Sequence, residues 1–211
     1  MGVKKKLLLP SSMKQAGWEV LNARSDIEAI AFDMNITPDA FHRLLADAHG
    51  VALSLTAFGE AEARAAPHLQ VVARHGVGYD LVDVPALTRH RIPLMVTGTA
   101  NSPSVAEQAL HFMLALAKRS VALDAMVRER RWSQRLSEAL PTDLFGKTLL
   151  VVGFGRIGTR IAKACLALGM TVRVYDPYVP AAAVAGAGCI AETDLDAALP
   201  LADFVTIHCP K

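Results

Sequence analysis

An α/β protein built on parallel sheets is the fold class this sequence predicts, and three observations predict it. Short aliphatic runs alternate with helix-like segments over the whole length, the pattern of strands joined by crossover helices. A segment from Pro103 to Arg119, apolar over most of its circumference, interrupts that alternation and divides it in two. The second part opens on the aliphatic run Thr148 to Val152 followed by Gly153-Phe154-Gly155-Arg156-Ile157-Gly158. That glycine pattern informs only where it leaves a strand and enters a helix, as it does here.

In the first part the strands are predicted at Lys6 to Leu9, Ala29 to Phe32, Val51 to Thr56, Leu69 to Ala73 and Leu94 to Val96, with helices between them. The clearest of these helices is Pro38 to Ala48. Thr37 is placed to cap it, Pro38 supplies the fixed φ of a first helical residue, and Gly50 is expected to close it. The long helix from Pro103 to Arg119 carries Ser104 and Glu107 at capping-box spacing and Lys118 and Arg119 at its negative end. Its apolar girth predicts burial between layers or domains, and a domain boundary is placed here, giving 1–102 and 103–211. A more basic helix follows from about Val121 to Trp132, in which Arg128 to Arg131 read as a solvated face. Pro141 to Gly146 read as a linker into the next strand.

From Thr148 four strands are predicted: Thr148 to Val152, Thr171 to Tyr175, Gly188 to Ala191 and Phe204 to His208. The helix Thr159 to Leu168, closed by Gly169, joins the first two. In such a unit Gly153 permits the tight turn, Gly155 lets a pyrophosphate approach the backbone and Gly158 allows close helix packing. The helix start offers unpaired N–H groups to the anion. Asp176 ends the second strand, where a carboxylate can accept both adenosine-ribose hydroxyls and would repel a 2′-phosphate. This favours NAD, although Arg173 is near enough in sequence to leave NADP open on the residues alone.

Composition sets outer limits. With 52% hydrophobic and 20% charged residues in 211, the chain can bury an ordinary globular core. A net charge of +2, with no basic run interleaved with aromatics, argues against a nucleic-acid partner. Cys165, Cys189 and Cys209 are odd in number and lack metal-ligand spacing, which points to free thiols in a reducing compartment, by default the cytoplasm, and to no metal site. Lys4 to Lys6 precede too short an apolar run for a signal peptide, Lys6 stands where a myristoylation motif needs Ser or Thr, and no stretch is long and apolar enough for a bilayer.

Taken together, Arg74-His75-Gly76-Val77-Gly78-Tyr79-Asp80 with Val82-Asp83, Asn101-Ser102-Pro103-Ser104-Val105-Ala106-Glu107, Gly153 to Gly158, and His208-Cys209-Pro210 resemble the D-isomer-specific 2-hydroxyacid dehydrogenases of the phosphoglycerate dehydrogenase type. The resemblance covers the chain from about Leu69 onward; the first sixty residues fit by their α/β pattern only. It implies a flavodoxin-like substrate domain followed by a Rossmann NAD-binding domain, present here as far as its fourth strand and therefore incomplete. It also implies hydride transfer between NAD(H) and a 2-hydroxy or 2-keto acid, and homodimerisation through the long helix.

Residue by residue, the resemblance assigns the substrate carboxylate to the amides of Val77 and Gly78 and places Asn101 near the substrate. On residue type alone, Gly76 to Gly78 could equally be a plain turn and Asn101 a helix-start residue. The cofactor set is Ser104, Gly153, Gly155, Arg156, Ile157, Gly158, Asp176, Pro177, His208, Cys209 and Pro210. His75 lies beside the substrate loop but is not assigned as a base. The arginine, glutamate and histidine with which the family polarises the carbonyl and moves the proton are expected after Lys211, so no catalytic residue is assigned in this chain. It is expected to be inactive by itself and of low stability. A non-enzymatic NAD-binding module resembling a corepressor is the alternative reading. Leu150 and Arg130 occupy positions where the family often has glycine.

Overall fold

A computed structural model describes residues 4–136 and 140–209, and the chain divides into two compact units, Met1–Ala100 and Asn101–Lys211. The first unit alternates strand and helix: β1 (Lys5–Pro10), α1 (Gln15–Asn22), β2 (Ile27–Phe32), α2 (Pro38–Leu45), β3 (Gly50–Leu53), α3 (Glu60–Ala65), β4 (Val71–Arg74), α4 (Val84–Arg89) and β5 (Leu94–Val96). Its sheet is parallel throughout, in the order β2-β1-β3-β4-β5, the flavodoxin-like arrangement. Register places Leu8 beside Ile30 and Val51, and Val72 beside Val51 and Leu94. These side chains share one face and pack against Phe41 and Leu45 of α2, Ala63 of α3 and Leu87 of α4. By contrast, α1 has no buried residue.

Gly50 does not close α2. That helix ends at Leu45 with Ala46 as its cap, and Gly50 is the first residue of β3. A Cβ there would lie 2.6 Å from Leu7 Cδ2 and 3.2 Å from Val71 Cγ1, so the side chains of the two flanking strands fill the space beside this glycine. Thr37 is the N-cap residue but makes no side-chain capping bond, while Pro38 opens the helix as expected.

The second unit begins with α5 (Ser102–Ala117) and α6 (Ser120–Arg128), followed by β6 (Thr148–Val152), α7 (Gly158–Ala167), β7 (Thr171–Tyr175), α8 (Ala181–Gly186), β8 (Ile190–Glu192), α9 (Leu195–Ala198) and β9 (Phe204–Ile207). The expected capping box on α5 is absent. Pro103 lacks an N–H and belongs in the first turn, so the helix starts at Ser102 with Asn101 as N-cap, and Ser104 falls inside it. The expectation that α5 is buried all round is also corrected. It buries Ala106, Met113 and Ala117 and leaves Phe112 58% and Leu116 73% exposed.

α6 stops at Arg128 because Arg130 turns left-handed, at φ 57°, while the Arg131 amide reaches back to the Met126 carbonyl. This is a helix stop that favours glycine, which accounts for the residue type the resemblance expects at that position. Arg128 and Arg131 pair with Asp124 and Glu129 on the exposed face. The segment from Pro141 to Gly146 is tied to its own unit: the Thr142 amide donates to Ala117, Leu144 is buried and the Gly146 amide donates to Gly169.

The second sheet is parallel in the order β8-β7-β6-β9, which in strand-of-unit terms is 3-2-1-4, the first half of a doubly wound dinucleotide fold. Leu149, Val151, Val172 and Val174 form its core with Ile161 and Cys165 of α7 and Met113 of α5.

Candidate dinucleotide site

The carboxyl ends of β6, β7 and β9 converge on the glycine turn. Gly153 donates its amide to the Tyr175 carbonyl at 2.9 Å, and His208 donates its own to Val152 at 2.8 Å, so the turn is pinned to both neighbouring strands. Gly153 has φ 94°, and a Cβ on it would stand 2.8 Å from the Cys209 nitrogen. At Gly158 a Cβ would be driven into the Gly153 carbonyl. Both positions therefore exclude a side chain for reasons of packing alone. Gly155 differs: a Cβ there would meet nothing within 4 Å, so its backbone faces open space. Among the described residues, the amides of Gly155, Arg156 and Ile157, just ahead of α7, have no acceptor. Unpaired amides at the positive end of a helix suit an anion.

Asp176 is fixed from both sides. Its Oδ2 accepts from the Phe154 amide at 2.7 Å and its Oδ1 from the Tyr178 amide at 2.9 Å, which leaves lone pairs on each oxygen for further donors. Beside it opens a crevice of about 520 Å³ lined by Val152, Gly153, Gly155, Tyr175, Asp176, Pro177, Tyr178, Leu195, His208 and Cys209. Six of the residues singled out in the sequence meet here: Gly153, Gly155, Asp176, Pro177, His208 and Cys209. Arg156 and Ile157 belong to the turn but do not line the crevice, and Gly158 is buried behind it. Ser104 lines a second hollow of about 370 Å³ with Gln108, Phe112, Ile207 and His208, so His208 borders both. Pro210 lies outside the described residues.

His208 stands with Nε2 2.9 Å from Thr206 Oγ1, and burial lowers its pKa, which keeps the ring neutral at neutral pH. Arg173, the residue that left NADP open, is ion-paired with Glu192 on β8. Sequence reasoning missed Val152, Tyr175, Tyr178 and Leu195 as lining residues. Tyr178 was within reach, two positions after Asp176 in the same loop; Leu195 carries no local signal, because only the packing of α9 against β7 brings it to the crevice.

In the first unit, Val77 and Gly78 sit in the loop that follows β4. The Arg74 guanidinium braces that loop by donating to the His75 carbonyl and, at 3.5 Å, to that of Leu53. The Thr97 amide donates to Gly76 at 3.1 Å. Among the described residues neither the Val77 nor the Gly78 amide has an acceptor. His75 is exposed, and no carboxylate among the described residues holds it.

An open glycine turn with unpaired amides, a fixed carboxylate at the end of the second strand and an apolar crevice between them fit the pyrophosphate, ribose and adenine of a dinucleotide. The second unit is by these features a dinucleotide-binding α/β unit. Residues 110–211 match the family described as D-isomer specific 2-hydroxyacid dehydrogenase, NAD binding domain. The chain is 45% identical over 147 residues to a D-3-phosphoglycerate dehydrogenase of Mycobacterium bovis, covering 70% of this chain and 27% of that protein. To the D-3-phosphoglycerate dehydrogenase of a Synechocystis species it is 33% identical over 211 residues, 98% of this chain and 36% of that protein. The crystal structure of D-lactate dehydrogenase from Aquifex aeolicus, complexed with NAD and lactic acid, superposes with a TM-score of 0.84 at 25% identity, covering 97% of this chain and 61% of that one. Residues 110–211 thus belong to the D-isomer specific 2-hydroxyacid dehydrogenase family through its NAD binding domain. The chain spans little more than a third, at most, of the length of these curated relatives.

Proposed function

We propose that this chain supplies the cofactor site and the substrate-carboxylate cradle of an NAD-dependent oxidoreductase acting on a 2-hydroxy or 2-keto acid. The observation that carries the reading is the convergence of the Gly153 to Gly158 turn, Asp176 and the His208-Cys209 strand end on one crevice. Bound there, NAD would supply the hydride acceptor or donor. The chain's own part is anchoring. The amides of Gly155, Arg156 and Ile157 receive the pyrophosphate, Asp176 accepts the ribose hydroxyls, and Pro177, His208 and Cys209 wall the adenosine, with Ser104 beyond His208.

On this reading 1–102 is the substrate domain and 103–211 the NAD-binding domain. The paired amides of Val77 and Gly78 hold the substrate carboxylate, with Asn101 as a further substrate contact. No group of this chain is assigned to proton transfer. The titratable side chains lining the crevice are Tyr175, Asp176, Tyr178, His208 and Cys209, and burial lowers the pKa of the histidine. Turnover by these residues alone is accordingly not expected. A homodimer is proposed through the exposed apolar side of α5 and α6, where Phe112, Leu116 and Val121 stand 58%, 73% and 83% exposed. Among the described residues no helix is long and apolar enough to cross a membrane, and the free cysteines suit the cytoplasm.

The test is a fluorescence titration with NADH of the full chain and of Asp176→Ala. Saturable binding that the substitution weakens by at least about tenfold supports the reading. A folded protein that binds no NADH refutes it.

A further inference from the structure

We propose that Glu192 is a selectivity residue for the adenosine end of the cofactor, acting by neutralising Arg173. The inference rests on the dinucleotide reading above and concerns which dinucleotide the site rejects. Parallel register sets Arg173 beside Ile190 and Tyr175 beside Glu192, so these residues share one face of the sheet. Glu192 is thereby level with Tyr175, one residue short of Asp176. To reach it, the Arg173 side chain runs from two positions lower on β7 up toward the carboxyl end of the sheet, the end at which Asp176 stands. The pair is half-withdrawn from solvent, with side-chain exposures of 25% and 17%. A further hollow, of about 310 Å³, adjoins the crevice at Asp176 and Pro177, with Glu192 and Thr193 at its polar end and Val174, Val184 and Ala191 along its apolar side.

Neither this hollow nor the crevice is lined by a lysine or an arginine. Arg173 is a cation on the strand that leads to Asp176, and its guanidinium already donates an N–H to Glu192, so its charge is paired before a phosphate on the ribose 2′ oxygen could recruit it. Asp176 repels such a phosphate directly. Glu192 acts one layer further out, by cancelling the charge that would attract it. Freed of its partner, the long flexible arm of Arg173 can swing to an incoming phosphate.

Glu192→Gln keeps the side-chain shape and removes the charge. In NADH and NADPH fluorescence titrations of the full chain, the ratio of Kd for NADPH to Kd for NADH should fall by about tenfold in Glu192→Gln, the size of one charge-assisted contact. NADH affinity should hold, and the ratio should return to its original value in Arg173→Met/Glu192→Gln. An unchanged ratio in Glu192→Gln with NADH still bound would overturn the assignment, as would a gain that survives loss of Arg173. Absence of NADH binding by the parent chain would instead overturn the dinucleotide reading, and this assignment with it.

Discussion

Replacing Gly158 by alanine tests whether the glycine turn is shaped by packing or by the ligand. The added Cβ would overlap the Gly153 carbonyl oxygen and stand 3.1 Å from its carbon and 3.2 Å from Val151 Cγ1. A carbon normally approaches such an oxygen no closer than about 3.3 Å, so α7 and the turn must separate by on the order of 1 Å. The turn has little freedom to give way, since Gly153 is hydrogen-bonded to Tyr175 and crowded by Cys209, and Val151 is fully buried. Overpacking of this kind costs about 1–3 kcal/mol, and the helix propensity regained is at most about 1 kcal/mol at a first helical residue. The net expectation is a loss of about 2 kcal/mol, on the order of 8 °C in the melting temperature of a unit this size. Gly155→Ala is the counterpart: its Cβ meets nothing, so the melt should be unchanged while NADH binding falls. Circular-dichroism melts and NADH titrations of both variants decide the matter. A Gly158→Ala protein as stable as its parent would refute the packing argument, and Gly155→Ala with full affinity would remove the pyrophosphate from the turn.

Other outcomes are equally specific. Glu60 accepts from Arg89, His90 and Arg64, and these bonds lower its pKa to about 2. Because the folded value lies below the unfolded one, the stabilisation is complete above the ordinary carboxylate range and is lost as pH falls toward about 2, so Glu60→Gln should flatten the acid limb of the stability curve. Burial raises Cys165 to about 11 and also lifts Cys189, whereas Cys209 is exposed at the crevice. A thiol reagent at neutral pH should label Cys209 first, NADH should protect it, and rapid labelling of Cys165 would contradict the packing of α7. Leu116→Glu should shift the sedimentation coefficient from dimer to monomer, and a coefficient unaffected by the change would rule out this face as the interface.

The strands were legible because each pairs a short aliphatic run with a sharp breaker. Thr148 to Val152 and Thr171 to Tyr175 coincide with β6 and β7 for that reason. Strand order was legible for the second unit from the glycine turn and Asp176, since that pattern belongs to one topology. Helix ends were less so. Ser104 and Glu107 have capping-box spacing, but spacing does not say which residue enters the helix first, and Pro103 decides it. Gly50 read as a helix stop because a glycine's local signal is the same whether the backbone turns or a neighbouring strand needs the space. The exposed half of α5 was invisible for a related reason: an all-apolar circumference states that both sides are covered in some state, not by what. Leu195 and the Arg173–Glu192 pair depend on contacts across the sheet, which no local window contains.

Asp176 shows why fold and site cannot be separated here. Its carboxylate ties the amide of Phe154, in the pyrophosphate turn, to that of Tyr178, at the crevice mouth, so the group read as the ribose acceptor also holds the two walls in place. Asp176→Ala therefore removes a ligand contact and two structural acceptors together, and leaves the Phe154 amide part-buried without a partner. Asp176→Asn separates the two roles. The amide oxygen can still accept from one backbone N–H, while the NH₂ group faces the other donor and has no charge to offer the ribose. If the structural role dominates, the asparagine variant should melt below the parent and bind NADH in proportion to the folded fraction. If the ribose role dominates, affinity should fall more than stability explains, and selectivity against NADPH should relax at the same time, because the repulsion of a 2′-phosphate belongs to the charge and not to the fold.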